Sequence, residues 1–185
     1  MATQVRLFIS AGPEEEPARE ALGRALAELP ITVGWKIKRT PDVDSVAECH
    51  LFALVLGRDI NAPVGLELWW AQRTEKPIIA FRAVGSRTPA GQVFLQENAF
   101  LPWTDYATPR ALRRAFLTDI GRFLLAHPDR YGVTLVEAEL LRAFLARLDE
   151  TAPAPAPPKA EGAAGGGVIL APGKDTPRGA RVLED

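Results

Sequence analysis

Apolar residues fall along this chain in two patterns, and their alternation predicts its architecture. A mostly apolar stretch, Val5–Ile9, broken by Arg6, reads as a first strand, and short apolar runs follow at Leu51–Leu56 and Ile78–Phe81. Each is too short for a typical helix, as expected of strands buried on both faces of a sheet. Between them the apolar positions take a helical period. Ala18, Leu22, Ala25, Leu26 and Leu29 form one stripe after Pro17. Pro63 opens a helix that runs to about Thr74, because proline's missing N–H is unpaired at that position in any case. Leu112, Ala115, Phe116, Ile120, Phe123 and Leu124 mark a third helix behind Thr108-Pro109, a capping hydroxyl followed by proline. From Cys49 to Phe81 the order is strand, helix, strand. That is a βαβ unit, and such units build parallel sheets.

Weaker patterns fill the remainder. Residues 31–37 alternate in part and predict a less buried strand, with 38–42 as a loop. Asp44 or Ser45 is expected to cap a short helix ending at Glu48, 92–97 to form another, and 99–103 a short fifth strand. Thr134 and Glu137 have capping-box spacing ahead of a last helix to about Leu148. That helix either packs on the domain or serves as an oligomer contact. From Thr151 onward, Ala-Pro repeats and Gly165-Gly166-Gly167 cannot bury enough apolar surface to offset ordering the chain. The expected organisation is an α/β domain over 1–126, a C-terminal helix within 127–150 and a disordered tail or linker over 151–185. The apolar patch Val168-Ile169-Leu170 is the tail's candidate contact for a partner protein. The fold class is a flavodoxin-like three-layer sandwich with about five parallel strands.

Composition narrows the function by exclusion. Across 185 residues, 47% are hydrophobic and 24% charged, ordinary for a globular protein. A net charge of −1 makes no electrostatic case for nucleic acid. No apolar run is long enough to span a bilayer, and the N-terminus enters a strand rather than a signal-peptide core. The one cysteine, Cys49, rules out an internal disulfide, so a cytoplasmic location is the default. The two histidines, His50 and His127, argue against a multi-histidine metal site, and no metal or cofactor is expected. Walker A, GxSxG, HExxH and CxxC patterns are absent. Cys49 and His50 are neighbours on an extended stretch, so they point to opposite faces and read as structural.

The candidate chemistry follows from topology. In an open parallel sheet ligands bind beyond the C-terminal strand ends, where strand order reverses. With the order 2-1-3-4-5, that crevice lies between the first and third strands. It would take Ser10 and Gly12 from one side, and Arg58, Asp59 and Asn61 from the other. Glu67 is expected in the first turn of the following helix, and Arg82 beyond the fourth strand. A carboxylate, two arginines and a serine suit a sugar hydroxyl and a phosphate. Each residue also has a plainer reading. Glu67 can complement a helix dipole, Ser10 and Asp59 can serve turns, and the arginines can be solvated. Glu14, Glu15 and Glu16 read as acids complementing the first helix and facing solvent. Trp69 and Trp70 diverge by ~100° around their helix, so one packs on the sheet and the other, with Trp70 the substrate candidate, lines the crevice or an interface.

These residues carry a family resemblance over roughly 4–126. Phe8-Ile9-Ser10, the run Ala47-Glu48-Cys49-His50-Leu51-Phe52-Ala53-Leu54-Val55-Leu56-Gly57, then Gly65-Leu66-Glu67-Leu68-Trp69-Trp70-Ala71, then Lys76-Pro77-Ile78-Ile79-Ala80-Phe81 resemble, in order and spacing, TIR (Toll/interleukin-1 receptor) domains. Arg19-Glu20 in the first helix adds a likeness to the TIR-like domain of unknown function found ahead of bacterial STAND NTPases. The resemblance implies a TIR-like fold in a signalling or defence system, self-association, and a module standing in front of something larger. Catalytic TIR domains cleave the nicotinamide–ribose bond of NAD with a glutamate in this helix, which implies Glu67 here, with Ala71 as the small residue four positions on. NAD would be substrate rather than cofactor. The chain departs from the enzymes before the glutamate. Asn61, Pro63 and Val64 stand where Ser, Trp and Cys are usual, and only Trp35, Trp69 or Trp70 remain to stack on a base. A non-catalytic TIR-like module that self-associates or binds a nucleotide is the alternative. Third comes a nucleoside 2-deoxyribosyltransferase, whose Asp-Gly-Thr pattern is missing.

Overall fold

The computed structural model describes residues 4–150. Five parallel strands form one sheet in the order β2-β1-β3-β4-β5. They are β1 (Gln4–Ala11), β2 (Gly34–Arg39), β3 (Leu51–Leu56), β4 (Ile78–Ala83) and β5 (Trp103–Tyr106). The helices are α1 (Glu16–Ala25), α2 (Val43–Glu48), α3 (Ala62–Arg73), α4 (Pro89–Glu97), α5 (Pro109–Ala126), α6 (Pro128–Tyr131) and α7 (Leu135–Glu150). Alternation along β3 shows how the layers arise. Leu51, Ala53 and Val55 join a core with Leu22 of α1, Phe116 of α5 and Leu141 of α7. Phe52 and Leu54 point the other way, into a core with Val46 of α2 and Val64 and Leu68 of α3. Every residue of β3 is buried, as an unbroken apolar run requires. Phe8 and Phe52 stack on the second face at 5.6 Å, and Phe81 meets Phe116 on the first at 6.2 Å.

The edges depart from expectation. Strand β2 runs on through Lys38 and Arg39, which pair with Phe8 and Ile9 of β1. An edge strand can carry exposed charges on a hydrogen-bonded backbone, so its side chains understate it. For the same reason β5 begins where the apolar run ends, pairing Trp103–Tyr106 with Ala80–Ala83. Asp42 caps α2, its carboxylate accepting from the Ser45 N–H at 3.1 Å, rather than Asp44 or Ser45. Helix α4 starts at Pro89 rather than at 92, with Thr88 as its cap.

The C-terminal helix α7 belongs to the same compact unit as the sheet. Gly121 of α5 allows its close approach, since a Cβ there would lie 2.8 Å from Leu145. Glu137 fastens its start. One carboxylate oxygen accepts from the Thr134 N–H and hydroxyl, at 2.9 and 2.8 Å. The other accepts from the N–H and hydroxyl of Thr32, each at 2.6 Å, in the segment leading to β2. The predicted tail, 151–185 with Val168-Ile169-Leu170, lies outside the described residues.

The loop after β3 is held just as closely. A Cβ on Gly91 would stand 2.7 Å from the backbone oxygen of Arg58. Gly91→Ala should therefore displace that loop or α4 and cost about 1–3 kcal/mol, read as a lower urea midpoint with an unchanged slope.

Candidate active site

Helix α3 positions the central carboxylate. Asn61 caps it, its side-chain oxygen accepting from the Val64 N–H at 3.3 Å, and Pro63 sits in the first turn. The helix thus begins at Ala62, which puts Glu67 in the second turn, not the first. Dipole complementation, which fades beyond the first turn, does not account for it. The buried positions of α3 are Val64, Glu67, Leu68 and Ala71, a helical stripe facing the sheet. Glu67 is the ionisable residue on that stripe, and its exposure is 0%.

A buried carboxylate requires partners. The Ser10 hydroxyl, at the end of β1, donates to Oε2 at 2.6 Å. The Thr40 hydroxyl, just after β2, donates to the same oxygen at 2.8 Å. The Asp42 N–H, at the start of α2, donates to Oε1 at 3.3 Å. Thr40 is itself held by the Ala11 N–H at 3.3 Å. Four segments therefore meet on one side chain beside the point where strand order reverses.

Arg19 of α1 lies near this carboxylate. Burial lowers its pKa, and Arg39 adds to that, while Glu67 and Glu20 act in the opposite sense. Its guanidinium pairs with Glu16, which also takes a 3.4 Å contact from Arg39. The Arg19 Nε is buried without a hydrogen-bond partner among the described residues. A cavity of about 250 Å³, lined by Arg19, Glu20, Gly23, Ile37 and Arg39, opens between α1 and β2.

The acidic run before α1 is not simply a solvated cap. Glu15 folds over the strand ends, and a Cβ on Gly57 would collide with its carboxylate. The Tyr106 hydroxyl donates to Glu15 at 3.1 Å. Burial, then the Glu15 charge, pushes that phenol's pKa up. Glu14 and Asn61 stand against Gly12, at 2.8 and 3.0 Å from where a Cβ would be. Gly12, Gly57 and Asn61 thus border the crevice together.

The remaining residues singled out in the sequence lie apart from Glu67. Arg58 is exposed, and its carbonyl accepts from the Thr88 N–H at 3.1 Å. Asp59 accepts from the Thr88 hydroxyl at 2.6 Å and the Ile60 N–H at 2.8 Å, which together lower its pKa. Arg82 lies within β4, not beyond it, and pairs with Asp105 of β5. The two arginines expected to converge on the carboxylate do not do so. Trp70 is half-buried against the α2–α3 core. Trp69 is 49% exposed, with the Arg73 guanidinium 5.4 Å from its ring centre.

Thr40 and Tyr106 are not singled out by the sequence, and Arg19 and Glu15 are noted there only for the resemblance and the helix start, not for the site. Arg19 had a legible signal, since it stands three and seven positions before Leu22 and Leu26 on the apolar stripe of its helix. Thr40 had none, because its role depends on the register between β1 and β2. Among the described residues, no group of three or more His, Cys, Asp or Glu is arranged to hold a metal ion, and no helix is long and apolar enough to cross a membrane.

No family model matches this sequence, and no curated protein matches it. Among solved structures, it is similar to a Clostridium botulinum CMP N-glycosidase, at 23% identity over 60% of this chain and 96% of that one, with a TM-score of 0.45.

Proposed function

We propose that this chain is a TIR-like, nucleotide-directed N-glycosidase of a bacterial signalling or defence system, with NAD as its substrate and Glu67 as its catalytic carboxylate. One observation carries the reading. A carboxylate occupies a core-facing position at the strand-order reversal, oriented by Ser10, Thr40 and the Asp42 N–H. Structure alone does not call for a charge there, because an apolar side chain would complete the α3 stripe at less desolvation cost.

In the reaction the C1′–N bond breaks and nicotinamide leaves with the bonding pair as a neutral base. Water adds to C1′ and releases a proton. Positive charge develops on the ribose as the bond lengthens. A fixed carboxylate beside C1′ stabilises that charge and takes the ribose hydroxyls. Arg19, which feels the Glu67 charge, and Arg39, which lines the same cavity as Arg19, are the candidate cations for the diphosphate. Substrate entry requires the Thr40–Asp42 turn to move off Glu67, a loop displacement of the kind that gates many active sites.

A second reading has its own observation. Glu67 is 0% exposed and hydrogen-bonded at both oxygens, which favours a structural carboxylate in a TIR-like module that binds a nucleotide or self-associates without turnover. Incubating concentrated protein with NAD and following nicotinamide release separates the two. Release supports the glycosidase. No release at any protein concentration, together with nucleotide binding seen by calorimetry, supports the binding module.

A further inference from the structure

At the opposite end of the strands from Glu67, near the N-terminal ends of β1, β3 and β4, lies a cavity of about 400 Å³. Arg6, His50, Lys76 and Arg130 line it. The backbone N–H of Arg6 donates to His50 Nδ1 at 3.2 Å. A neutral imidazole whose Nδ1 accepts must carry its proton on Nε2. That Nε2 lies 3.4 Å from a terminal guanidinium nitrogen of Arg6. Two N–H donors therefore face each other with no acceptor between them. Among the described residues, the Arg6 Nε is also buried without a hydrogen-bond partner.

The anionic groups nearby do not supply the missing acceptor. Glu48 has a side chain 66% exposed and reaches Arg6 only at 4.0 Å. Glu75 is exposed at the rim, where water screens it. The Cys49 thiol is neutral, its pKa pushed up to about 11 by burial. Donors outnumber acceptors, and Lys76 and Arg130 add charge of the same sign. A tetrahedral oxyanion complements such a set, because each of its oxygens accepts from more than one donor.

We infer that the cavity between Arg6, His50, Lys76 and Arg130 is a second binding site, separate from Glu67, for the phosphate group of a small phosphorylated molecule. His50 serves as the local reporter. Burial holds its pKa below the ordinary value, and Arg6, Arg130 and Lys76 depress it further. A bound phosphate reverses the effect of those three cations. Glu48, Glu75 and the Tyr131 ring, 5.8 Å from the imidazole, complete its surroundings.

The test follows the His50 imidazole by NMR in the full chain through a pH titration. Inorganic phosphate, ribose 5-phosphate and sodium chloride are compared at matched ionic strength. Phosphate should raise the His50 pKa by about one unit and shift the Nε2–H signal. Ribose 5-phosphate should act at lower concentration than phosphate. Lys76→Gln and Arg130→Gln should each weaken binding about tenfold. The response should persist in Arg39→Gln, which places it away from the Glu67 crevice. An equal response to chloride overturns the inference. So does no response to either phosphate compound up to about 10 mM, a concentration at which even weak specific sites fill, or unchanged binding in both glutamine variants.

Discussion

Glu67→Gln should lower nicotinamide release from NAD by about 10²–10³-fold while leaving the fold intact. The amide matches the carboxylate in shape, so its oxygen still accepts from the Asp42 N–H. Its NH₂ meets the Ser10 and Thr40 hydroxyls, which can turn from donating to accepting. The network survives and only the charge is lost, so a fall in rate reports the charge. Glu67→Ala is a poorer probe. It strands two hydroxyls and one N–H in a buried site, at about 1–3 kcal/mol for each left unsatisfied. Thermal unfolding should therefore separate the two variants, with glutamine near wild type and alanine several degrees lower. Undiminished release from a folded Glu67→Gln protein would remove Glu67 from the chemistry. This outcome is independent of the second site, whose reporter is His50 and whose ligand is a phosphate.

Removing the other buried glutamate should also destabilise the fold. Glu137→Ala should cost about 2–3 kcal/mol, since hydrogen bonds to a charged acceptor are the stronger kind and four converge here. The loss frees the start of α7 from the segment before β2, so amide exchange should rise first in α7. The same contacts predict a pH dependence. Hydrogen bonds from Thr32, then from Thr134 and again Thr32, hold the Glu137 pKa down to about 2, against an ordinary 4.5. A carboxyl with a depressed folded-state pKa binds more protons when unfolded. Its stabilisation is therefore fully present above about pH 4.5 and is lost as pH falls towards about 2. Urea unfolding at pH 7 and pH 3 should show a smaller difference for Glu137→Gln than for wild type. An equal difference in both would mean that Glu137 titrates normally.

Legibility in the sequence followed the range of the interaction. The buried strand 51–56 is fully legible, because six apolar residues in a row leave a short segment few alternatives. The caps at Thr108 and Thr134 were read as well, since each acts within its own first turn. Edge strand β2 was displaced and β5 began late, because pairing to a neighbour rather than apolar content makes an edge strand. The acidic run before α1 does lie in the first helical turns, as its chemistry predicts, but one of its contacts is out of local reach for a related reason. Its local chemistry suits a helix start, but Tyr106, which engages Glu15, is 91 residues away.

The sequence by itself determined a parallel α/β sheet, its central strands, the helices that cover it, and Glu67 as the side chain to watch. The sheet, strands and helices rest on periodicity and on chemistry within one turn or strand, where neighbours in sequence are neighbours in space, and Glu67 rests on the expected strand order and the family resemblance. Only the tertiary structure decided what Glu67 touches. Ser10 and Thr40 stand 57 and 27 residues from it, and Arg58 and Arg82, nearer in sequence than Ser10, turned elsewhere. Strand register and crossover choose such partners, and both are settled by packing the whole sheet at once rather than by any segment of it.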